Sequence, residues 1–379
     1  RFDNTFSMPT FIQDMADGPT YMEMYNEASR NDAIASGTLS SWTPKYSEER
    51  INNTRAGLNP YVYPNNNWYK MMFKDFAVNQ NLNVSVKGGT KMLEYFMNAG
   101  IFFENGITRS PKESVLDVSM YSKKYLFQSN VVAHLTPTTK MGLNMNAQIT
   151  QYHAPHAMSD DLRGEFSLND FFYYSMRGNP VAFPAVLPAQ PGDTFVRYGN
   201  NNSWDVGMAD INPYAKMSSG YTEQSYVYMT TAFNVEQDLK FITPGLKLSG
   251  LASFYNYSFS WLNHWIQPYY FQVTNPQQDA NGNYTWEETS IGTPETPAIQ
   301  SSSGQNPPNR VWSLQATLDY ARSFGRHNVG ATFVYHMKET RNDKAGTSNQ
   351  KDLLPYREQG LAGRLTYNYD ERYLLEATF

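Results

Sequence analysis

Alternation of apolar and polar residues is the dominant pattern of this chain, and it is clearest within Tyr121–Thr150. From Lys140 to Thr150 every odd position is apolar and every even position is small or polar. A period of two is typical of a β-strand with one apolar face and one polar face. The preceding run, Tyr125–Thr136, largely alternates in the same way, and only residues 137–139 separate the two runs. The pattern predicts a hairpin with a short turn.

The same alternation recurs along the chain and predicts eleven strands. Several arms are about ten residues or longer, which is enough to cross a membrane when tilted, whereas strands of soluble proteins are more often about five or six residues long. The predicted strands cover residues 1–7, 81–87, 93–103, 121–136, 140–150, 226–239, 246–261, 312–320, 329–337, 361–369 and 373–379.

Short and long connections alternate strictly between these strands, with short turns near Gly89, Thr138, Pro244, Gly325 and Glu371. This asymmetry is typical of antiparallel outer-membrane barrels, which have short periplasmic turns and long extracellular loops. A soluble sandwich would need a second apolar layer over each strand, and the connections are too polar to supply one. We therefore predict an all-β fold, an antiparallel transmembrane β-barrel.

The largest connections, residues 9–78, 151–223 and 262–310, are predicted to be extracellular loops. Within the first of them, Thr20 followed by Glu23 forms a capping-box pattern, which predicts a short helix from Thr20 to Ala35. Farther along the same connection, prolines and large aromatic side chains are concentrated after residue 59. Such a composition predicts an ordered loop, because a solvated linker has few large aromatic residues.

Composition favours a membrane barrel over a soluble enzyme. Aromatic residues make up 15% of the chain and charged residues 17%, while the mean hydropathy is −0.59. Outer-membrane barrels carry aromatic girdles and only a weak hydrophobic signal per strand. No run approaches the roughly eighteen apolar residues that a transmembrane helix requires. The net charge of −5, without a block of Lys or Arg, gives no electrostatic basis for a nucleic-acid partner.

The segment NLNVSVKGGTKMLEYFMNAGIFFENGI (Asn81–Ile107) resembles a characteristic hairpin of the SusC/RagA-like TonB-dependent outer-membrane transporters of Bacteroidetes. One departure is Asn67, where the family often has Asp before the tryptophan. The resemblance covers nearly the whole chain, because further matching segments follow in the family's order. These segments are Tyr21–Asp32, Asn59–Asp75, Tyr121–Leu135 and Gly363–Phe379.

The resemblance implies energy-coupled import of a bulky nutrient, a glycan or an oligopeptide, across the bacterial outer membrane and its lipid. It also implies a SusD-like surface lipoprotein as a lid-like partner and the TonB-ExbB-ExbD complex as the energy source. Barrels of such transporters have 22 strands, so about 11 strands would form the N-terminal half. Since the family's signal sequence, N-terminal domain and plug have no counterpart here, we expect residues 1–379 to be a partial barrel domain that lacks the TonB-contacting part.

Catalytic motifs are scarce, so we expect neither an enzyme nor a bound cofactor. The chain has no cysteine, no phosphate-binding glycine loop with a lysine and no Gly-x-Ser-x-Gly elbow. His153 and His156 lie near Asp160 and Asp161, a spacing that could ligate a metal, but Pro155 between the histidines favours an ordinary loop. We therefore predict no metal site.

Two acidic patterns have a simpler interpretation than the chemistry they suggest. Asp279, Asn281 and Asn283 resemble the start of a calcium loop, although a hairpin tip explains the pattern more simply. Glu236 and Asp238 could suggest a glycosidase, but their spacing puts both on the polar face of a strand, which favours hydrated pore lining.

These acidic residues and the aromatic loops support an alternative function, a soluble envelope carbohydrate-binding or glycan-hydrolysing β protein. A passive diffusion porin without a plug or a lipoprotein partner is a third hypothesis. A lipoprotein that copurifies with the full-length protein would distinguish the transporter from the porin.

Aromatic residues in the predicted loops are the candidate substrate-binding residues, because flat rings stack on sugars and pack against peptides. In the alternative interpretation they pack the loops against one another, and Trp261 belongs to the outer aromatic girdle. The candidates are Phe171, Tyr173, Trp204, Trp261, Trp265, Tyr269 and Tyr270.

Overall fold

A computed structural model describes residues 1–12, 14–156, 168–201, 212–292, 298–342 and 354–379. Within these residues, eleven strands form one antiparallel sheet in which neighbours in the chain pair with each other. The strands of this sheet are β1 (Phe2–Ser7), β2 (Ala77–Gly89), β3 (Leu93–Asn105), β4 (Tyr121–Thr136), β5 (Thr139–Pro155), β7 (Gly220–Asp238), β8 (Leu246–Trp265), β11 (Gln300–Phe324), β12 (His327–Asn342), β13 (Tyr356–Tyr369) and β14 (Tyr373–Thr378).

A second, three-stranded sheet lies in the long connections and contains β6 (Arg197–Gly199), β9 (Tyr269–Gln278) and β10 (Tyr284–Ile291). The described helices also belong to the long connections. They are α1 (Gly18–Ala35), α2 (Glu48–Arg55), α3 (Trp68–Met72), α4 (Leu168–Arg177) and α5 (Pro213–Ser218), with a short 3₁₀ turn at Leu39–Ser41.

The strand register of the large sheet aligns the apolar positions of successive strands on one side, which we call the apolar face. Leu82 pairs with Ile101, Ile101 with Tyr125, Tyr125 with Ile149 and Ile149 with Val227, so one row continues over five strands. Directly opposite side chains in antiparallel strands lie on the same face of a sheet. The period of two seen in the sequence therefore extends sideways into a continuous apolar band.

This apolar band remains open in the described part of the chain. Leu143 is 37% exposed, Phe333 48% and Leu365 55%, although each lies within a strand of the large sheet. The described helices pack mainly against one another instead of covering the sheet. Among the residues that the structure describes, nothing therefore forms the second layer that closes the core of a soluble sandwich.

The opposite side of the sheet, the polar face, carries charged residues in ion pairs between neighbouring strands. Lys247 Nζ lies 2.8 Å from Glu236 Oε2, and Lys338 Nζ lies 3.3 Å from Glu358 Oε1. Exposed pairs of this kind contribute at most about 1 kcal/mol each to stability. These ion pairs are more useful for distinguishing the two faces, because they show which face of the sheet is polar.

Connections between paired strands alternate between short and long, as the sequence predicts. Residues 90–92, 137–138, 239–245, 325–326 and 370–372 form the short turns, while the long connections include 8–76, 156–219 and 266–299. Some strands extend beyond their predicted ends: β5 reaches Pro155 and β8 reaches Trp265. Alternation fades at these ends, since aromatic residues occupy both faces there. Trp261 consequently lies within β8 and not at its end, and Trp265 belongs to this strand and not to a loop.

The first long connection contains the predicted helix, but a different residue caps it. The helix α1 begins at Gly18, and its N-cap is Asp17, whose Oδ1 accepts a hydrogen bond from the Thr20 backbone N–H at 2.9 Å. The capping prediction based on Thr20 and Glu23 is therefore wrong by one turn. Pro19 in the first turn explains the earlier start, because proline is well tolerated where a helix has free N–H groups.

The long connections pack into a unit with its own apolar core, which we call the loop assembly: α1–α5, β6, β9, β10 and the segment 179–187. Trp68, Met72, Phe171, Phe183 and Met217 are buried together in this core. Asn212 is fully buried, and its Nδ2 donates to the carbonyls of Ala185 at 2.9 Å and Gly199 at 2.8 Å. Side-chain amides of this kind satisfy buried carbonyls that strand pairing leaves free.

The large sheet begins with β1 and ends with β14, and these two strands do not pair with each other in the described residues. The closed barrel with 22 strands stays a prediction. In the described residues, no helix combines the length and the apolar character required to cross a membrane.

Candidate functional site

An aromatic cluster occupies the polar face of β5, β7 and β8, toward the ends that lead into the long connections. Tyr226 lies opposite Phe259, with ring centroids 4.7 Å apart, and Tyr228 lies opposite Tyr257 at 4.8 Å. Tyr152 meets Tyr226 edge to face at 5.7 Å. We call these five residues the polar-face aromatic cluster. Tyr152 and Tyr228 are each 38% exposed, so part of each ring is accessible on the polar face.

Trp261 extends this cluster toward the end of β8. It pairs with Gln224 of β7 and Gly304 of β11, and a Cβ atom at Gly304 would lie 2.7 Å from the indole ring. The glycine therefore allows the indole to lie across the backbone of the neighbouring strand. A wide aromatic plate with a polar N–H group is suited to stacking against a sugar or a peptide.

Trp265, also predicted from the sequence, is held at the end of β8 by a histidine. Its ring stacks on His156 with a centroid distance of 5.3 Å and an interplanar angle of 9°, and His156 Nδ1 lies 3.3 Å from Thr222 Oγ1. Burial lowers the pKa of His156 below its usual value, so the neutral imidazole is favoured. Stacking on His156 thus fixes the orientation of the Trp265 ring at the end of β8.

His153 and His156 do not form a shared metal site. His153 has the parity of the apolar face, and its ring lies between Tyr121 at 4.6 Å and Tyr221 at 4.7 Å, with Nδ1 2.7 Å from the Ser119 carbonyl. Asp160 and Asp161 lie outside the described residues. Within the described ranges, no group of three or more His, Cys, Asp or Glu side chains is arranged to hold a metal ion.

The other acidic candidates are engaged in local structure. Asp279 accepts hydrogen bonds from the backbone N–H groups of Asn281 at 2.9 Å and Asn283 at 2.8 Å, which closes the turn between β9 and β10. Glu236 pairs with Lys247 of the adjacent strand. The Asp279 contacts correspond to the predicted hairpin tip, whereas the hydrated pore lining at Glu236 and Asp238 stays a prediction.

The loop candidates divide between the core and the surface of the loop assembly. Phe171 is only 3% exposed, and Tyr270 packs against the same core, so both hold the loops together in this structure. Tyr173 is 38% exposed and lies 4.9 Å beneath the Arg177 guanidinium, while Tyr269 contacts Phe195 edge to face at 5.1 Å. Trp204 lies outside the described residues.

A groove of about 380 Å³ on the loop assembly was not predicted as a site. Tyr61 and Tyr63 contribute to its wall and contact Trp286 and Tyr284 of the second sheet at 5.3 and 5.7 Å. Arg50 donates from Nη2 to the Val181 carbonyl at 3.0 Å at the same groove. The only sequence signal was the aromatic and proline-rich composition after residue 59, which indicated order but not a pocket.

Burial controls the ionisation of three tyrosines in the core of the loop assembly. Burial raises the pKa of Tyr198 to about 12, with a smaller contribution from the Glu113 carboxylate. Burial likewise raises the pKa values of Tyr214 and Tyr270, and Glu113 Oε2 accepts a hydrogen bond from the Tyr214 hydroxyl at 2.7 Å. Tyr270 is therefore a neutral core residue at physiological pH.

No protein-family model matches this chain, and no curated protein matches its sequence. Solved structures of the RagAB peptide transporter have a similar fold. The RagAB peptide transporter has a TM-score of 0.54 and 13% sequence identity, and the match covers 100% of this chain and 41% of that chain. The RagAB peptide importer in the open-open state has a TM-score of 0.52 and 13% identity, and the match covers 100% of this chain and 40% of that chain. At such low identity the similarity concerns the fold alone. This chain spans about two fifths of the length of those structures.

The raised pKa of Tyr198 predicts an alkaline transition of the loop assembly. An unfolded phenol ionises near pH 10 and the buried one near pH 12, so stability that is complete below pH 10 is lost as the pH rises toward 12. The expected loss is about 3 kcal/mol at most. Absorbance at 295 nm of the full-length protein in detergent measures the titration, and Tyr198→Phe is expected to remove one late-ionising phenol. Identical curves above pH 11 for both proteins would contradict the assignment.

Proposed function

We propose that this chain is part of a TonB-dependent outer-membrane transporter that imports a bulky nutrient, a glycan or an oligopeptide. The observation that carries the proposal is the open apolar face, which crosses the large sheet from β2 to β14 opposite a charged polar face. In water an apolar surface of this extent would promote aggregation. In a bilayer the acyl chains cover the same surface without a second protein layer.

The height of the apolar band supports a bilayer environment. On β11 the band runs from Trp312 to Tyr320, eight residue steps along the strand. At about 3.4 Å per residue and a tilt of about 40°, these steps rise about 21 Å, close to the roughly 25 Å band of outer-membrane barrels. Trp312 at one end and Tyr320 at the other correspond to the aromatic girdles found at both interfaces.

The proposed orientation puts the long connections outside the cell and the short turns in the periplasm. The loop assembly then forms part of the extracellular mouth, where a SusD-like lipoprotein would dock. The RagAB peptide transporter supports a two-component import system of this kind through its fold, and the sequence resemblance to SusC/RagA-like transporters supports coupling to the TonB complex. The plug and the remaining strands would belong to other parts of the full-length protein.

The polar-face aromatic cluster and Trp261 are the proposed substrate contacts. Aromatic rings offer a large contact area at low conformational cost, and the neighbouring polar side chains keep the surface hydrated. The cluster lies below the loop assembly, on the side of the sheet that faces the interior of a closed barrel. Substrate would therefore meet the groove at Tyr61 and Tyr63 first and the aromatic cluster afterwards.

A charge on the apolar face tests the membrane assignment. Met145 occupies the middle of the apolar run of β5, and the neighbouring Asn146 belongs to the polar face. Met145→Arg is expected to destabilise the full-length protein in liposomes by about 2–4 kcal/mol, because lipid solvates a guanidinium poorly. Asn146→Arg, the control, is expected to change the free energy of unfolding by less than about 0.5 kcal/mol. Urea titration followed by tryptophan fluorescence measures both, and equal effects of the two substitutions would contradict the proposal.

Removal of a ring from the polar face tests the substrate contact. Trp261→Ala is expected to weaken binding of the imported nutrient about tenfold, since a stacked indole contributes about 1 kcal/mol or more. Trp312→Ala is the matched control, because Trp312 is 56% exposed on the apolar face. Equilibrium binding of fluorescent oligopeptide and oligosaccharide libraries to the transporter–lipoprotein complex measures the effect. If Trp312→Ala reduces binding and Trp261→Ala does not, the site is assigned to the wrong face.

A further inference from the structure

A groove of about 660 Å³ lies on the apolar face where β8, β11, β12 and β13 meet. Ala252 and Leu314 pair across β8 and β11, and Leu314 pairs with Met337 of β12, so these three residues form its apolar floor. Trp312 stands at one end of this floor and contacts Phe254 at 4.5 Å. The small side chain of Ala252 leaves room above the floor between Trp312 and Met337.

Three arginines lie close to Trp312 on the same face: Arg357 is level with it in the register, and Arg310 and Arg341 lie two residues farther along their strands. Register pairs Arg310 with Arg341, Trp312 with Glu339 and Glu339 with Arg357, so all these positions share the parity of the apolar face. Glu339 bridges two of the arginines: its Oε1 lies 2.7 Å from Arg341 Nε, and its Oε2 lies 2.7 Å from Arg357 Nε. We call Arg310, Arg341 and Arg357 the arginine triad.

The charges of this group are unbalanced. Two guanidinium groups contact the Glu339 carboxylate, and Arg310 lies opposite Arg341 in the register, so the four side chains together carry a net charge of +2. Like charges directly opposite each other in antiparallel strands destabilise a sheet, and Arg310 faces Arg341 in this way. Among the described residues Glu339 is the only acidic partner of the triad, and it contacts Arg341 and Arg357 through their Nε atoms. Within the described ranges, the hydrogen bonds of Arg341 and Arg357 use Nε and not the Nη groups, which are the atoms that would bind an anion.

The depth of the triad selects the kind of anion. Arg341 and Arg357 flank the long connection from β12 to β13, so the triad lies at the extracellular edge of the apolar band in the orientation proposed above. Bilayer phosphates occupy this level, just outside the acyl chains. Arginine binds phosphate through two parallel N–H donors, which gives the contact a defined geometry.

We propose that this groove binds a phosphorylated glycolipid of the outer leaflet, with its phosphate at the arginine triad and an acyl chain along Ala252, Leu314 and Met337. The inference rests on the proposed membrane location and adds a specific lipid to it. Glu339 then has a positioning role, because it holds two guanidinium groups side by side before the lipid arrives. A free phosphate ion would use the triad but not the apolar floor.

Native mass spectrometry of the full-length transporter, stripped of lipid in detergent, tests the proposal with lipid A that carries two phosphates. We expect retention of this lipid, and at least a tenfold loss of affinity in Arg310→Gln combined with Arg341→Gln and Arg357→Gln. Arg310→Gln alone leaves both Glu339 ion pairs intact, so it tests the triad without disturbing the fold, and a partial loss is expected. Arg322→Gln is the matched control, because Arg322 lies on the same face of the same strand near the short turn.

Binding of different ligands distinguishes the phosphorylated lipid from the lipid without phosphate and from phosphate alone. Dephosphorylated lipid A is expected to bind at least tenfold more weakly than lipid A with two phosphates, and millimolar inorganic phosphate is not expected to displace the latter. Equal retention in the triple variant and the wild type, or full displacement by inorganic phosphate, would overturn the proposal. Neither result would contradict the proposed transporter function, provided that the full-length protein still requires detergent for extraction. Release of the full-length protein into buffer without detergent would instead contradict the proposed function.

Discussion

In the proposed transporter, different environments on the two sides of one sheet determine most of the structure. A strand that meets water on one face and acyl chains on the other must alternate at every residue, and its backbone groups must all pair with neighbouring strands. The antiparallel register meets both requirements, because it aligns Leu82, Ile101, Tyr125, Ile149 and Val227 in one row. No helical layer is needed over these residues if lipid supplies the cover. The register irregularity of β11 at Asn306–Asn309 lies outside the apolar band, which begins at Trp312.

In the proposed orientation, the long connections must build a folded unit outside the membrane. They do so with a conventional apolar core around Trp68, Phe171 and Met217, and with buried amides such as Asn212 that bind backbone carbonyls. Much of the aromatic content of the chain is used in this core. Aromatic residues on the polar face, such as Tyr228 and Trp261, are therefore more informative about ligand binding than those in the loops.

Alternation was sufficient to predict the eleven strands of the large sheet and its two faces, because the period of two depends on local sequence. It did not predict the second sheet of β6, β9 and β10 in the long connections. The ends of β8 and β11 were missed, since both faces become aromatic or polar where the sheet leaves the apolar band. The burial of Phe171 could not be predicted, because it depends on contacts between segments far apart in the chain. The aromatic cluster around Tyr226 and Phe259 was missed for a related reason: only the register brings two strands' rings together.

The account depends on the apolar, odd-numbered positions of β5 facing lipid. Site-directed spin labels on this strand test that orientation most directly. Single labels at positions 141 to 149 of the full-length protein in liposomes would be measured for collision with oxygen, which partitions into lipid, and with a water-soluble nickel chelate. Labels at odd positions such as Met145 are expected to be accessible to oxygen, and labels at even positions such as Asn146 to the nickel chelate. Equal accessibility along the strand, or protection of the odd positions from both reagents, would contradict the assignment of this face to lipid.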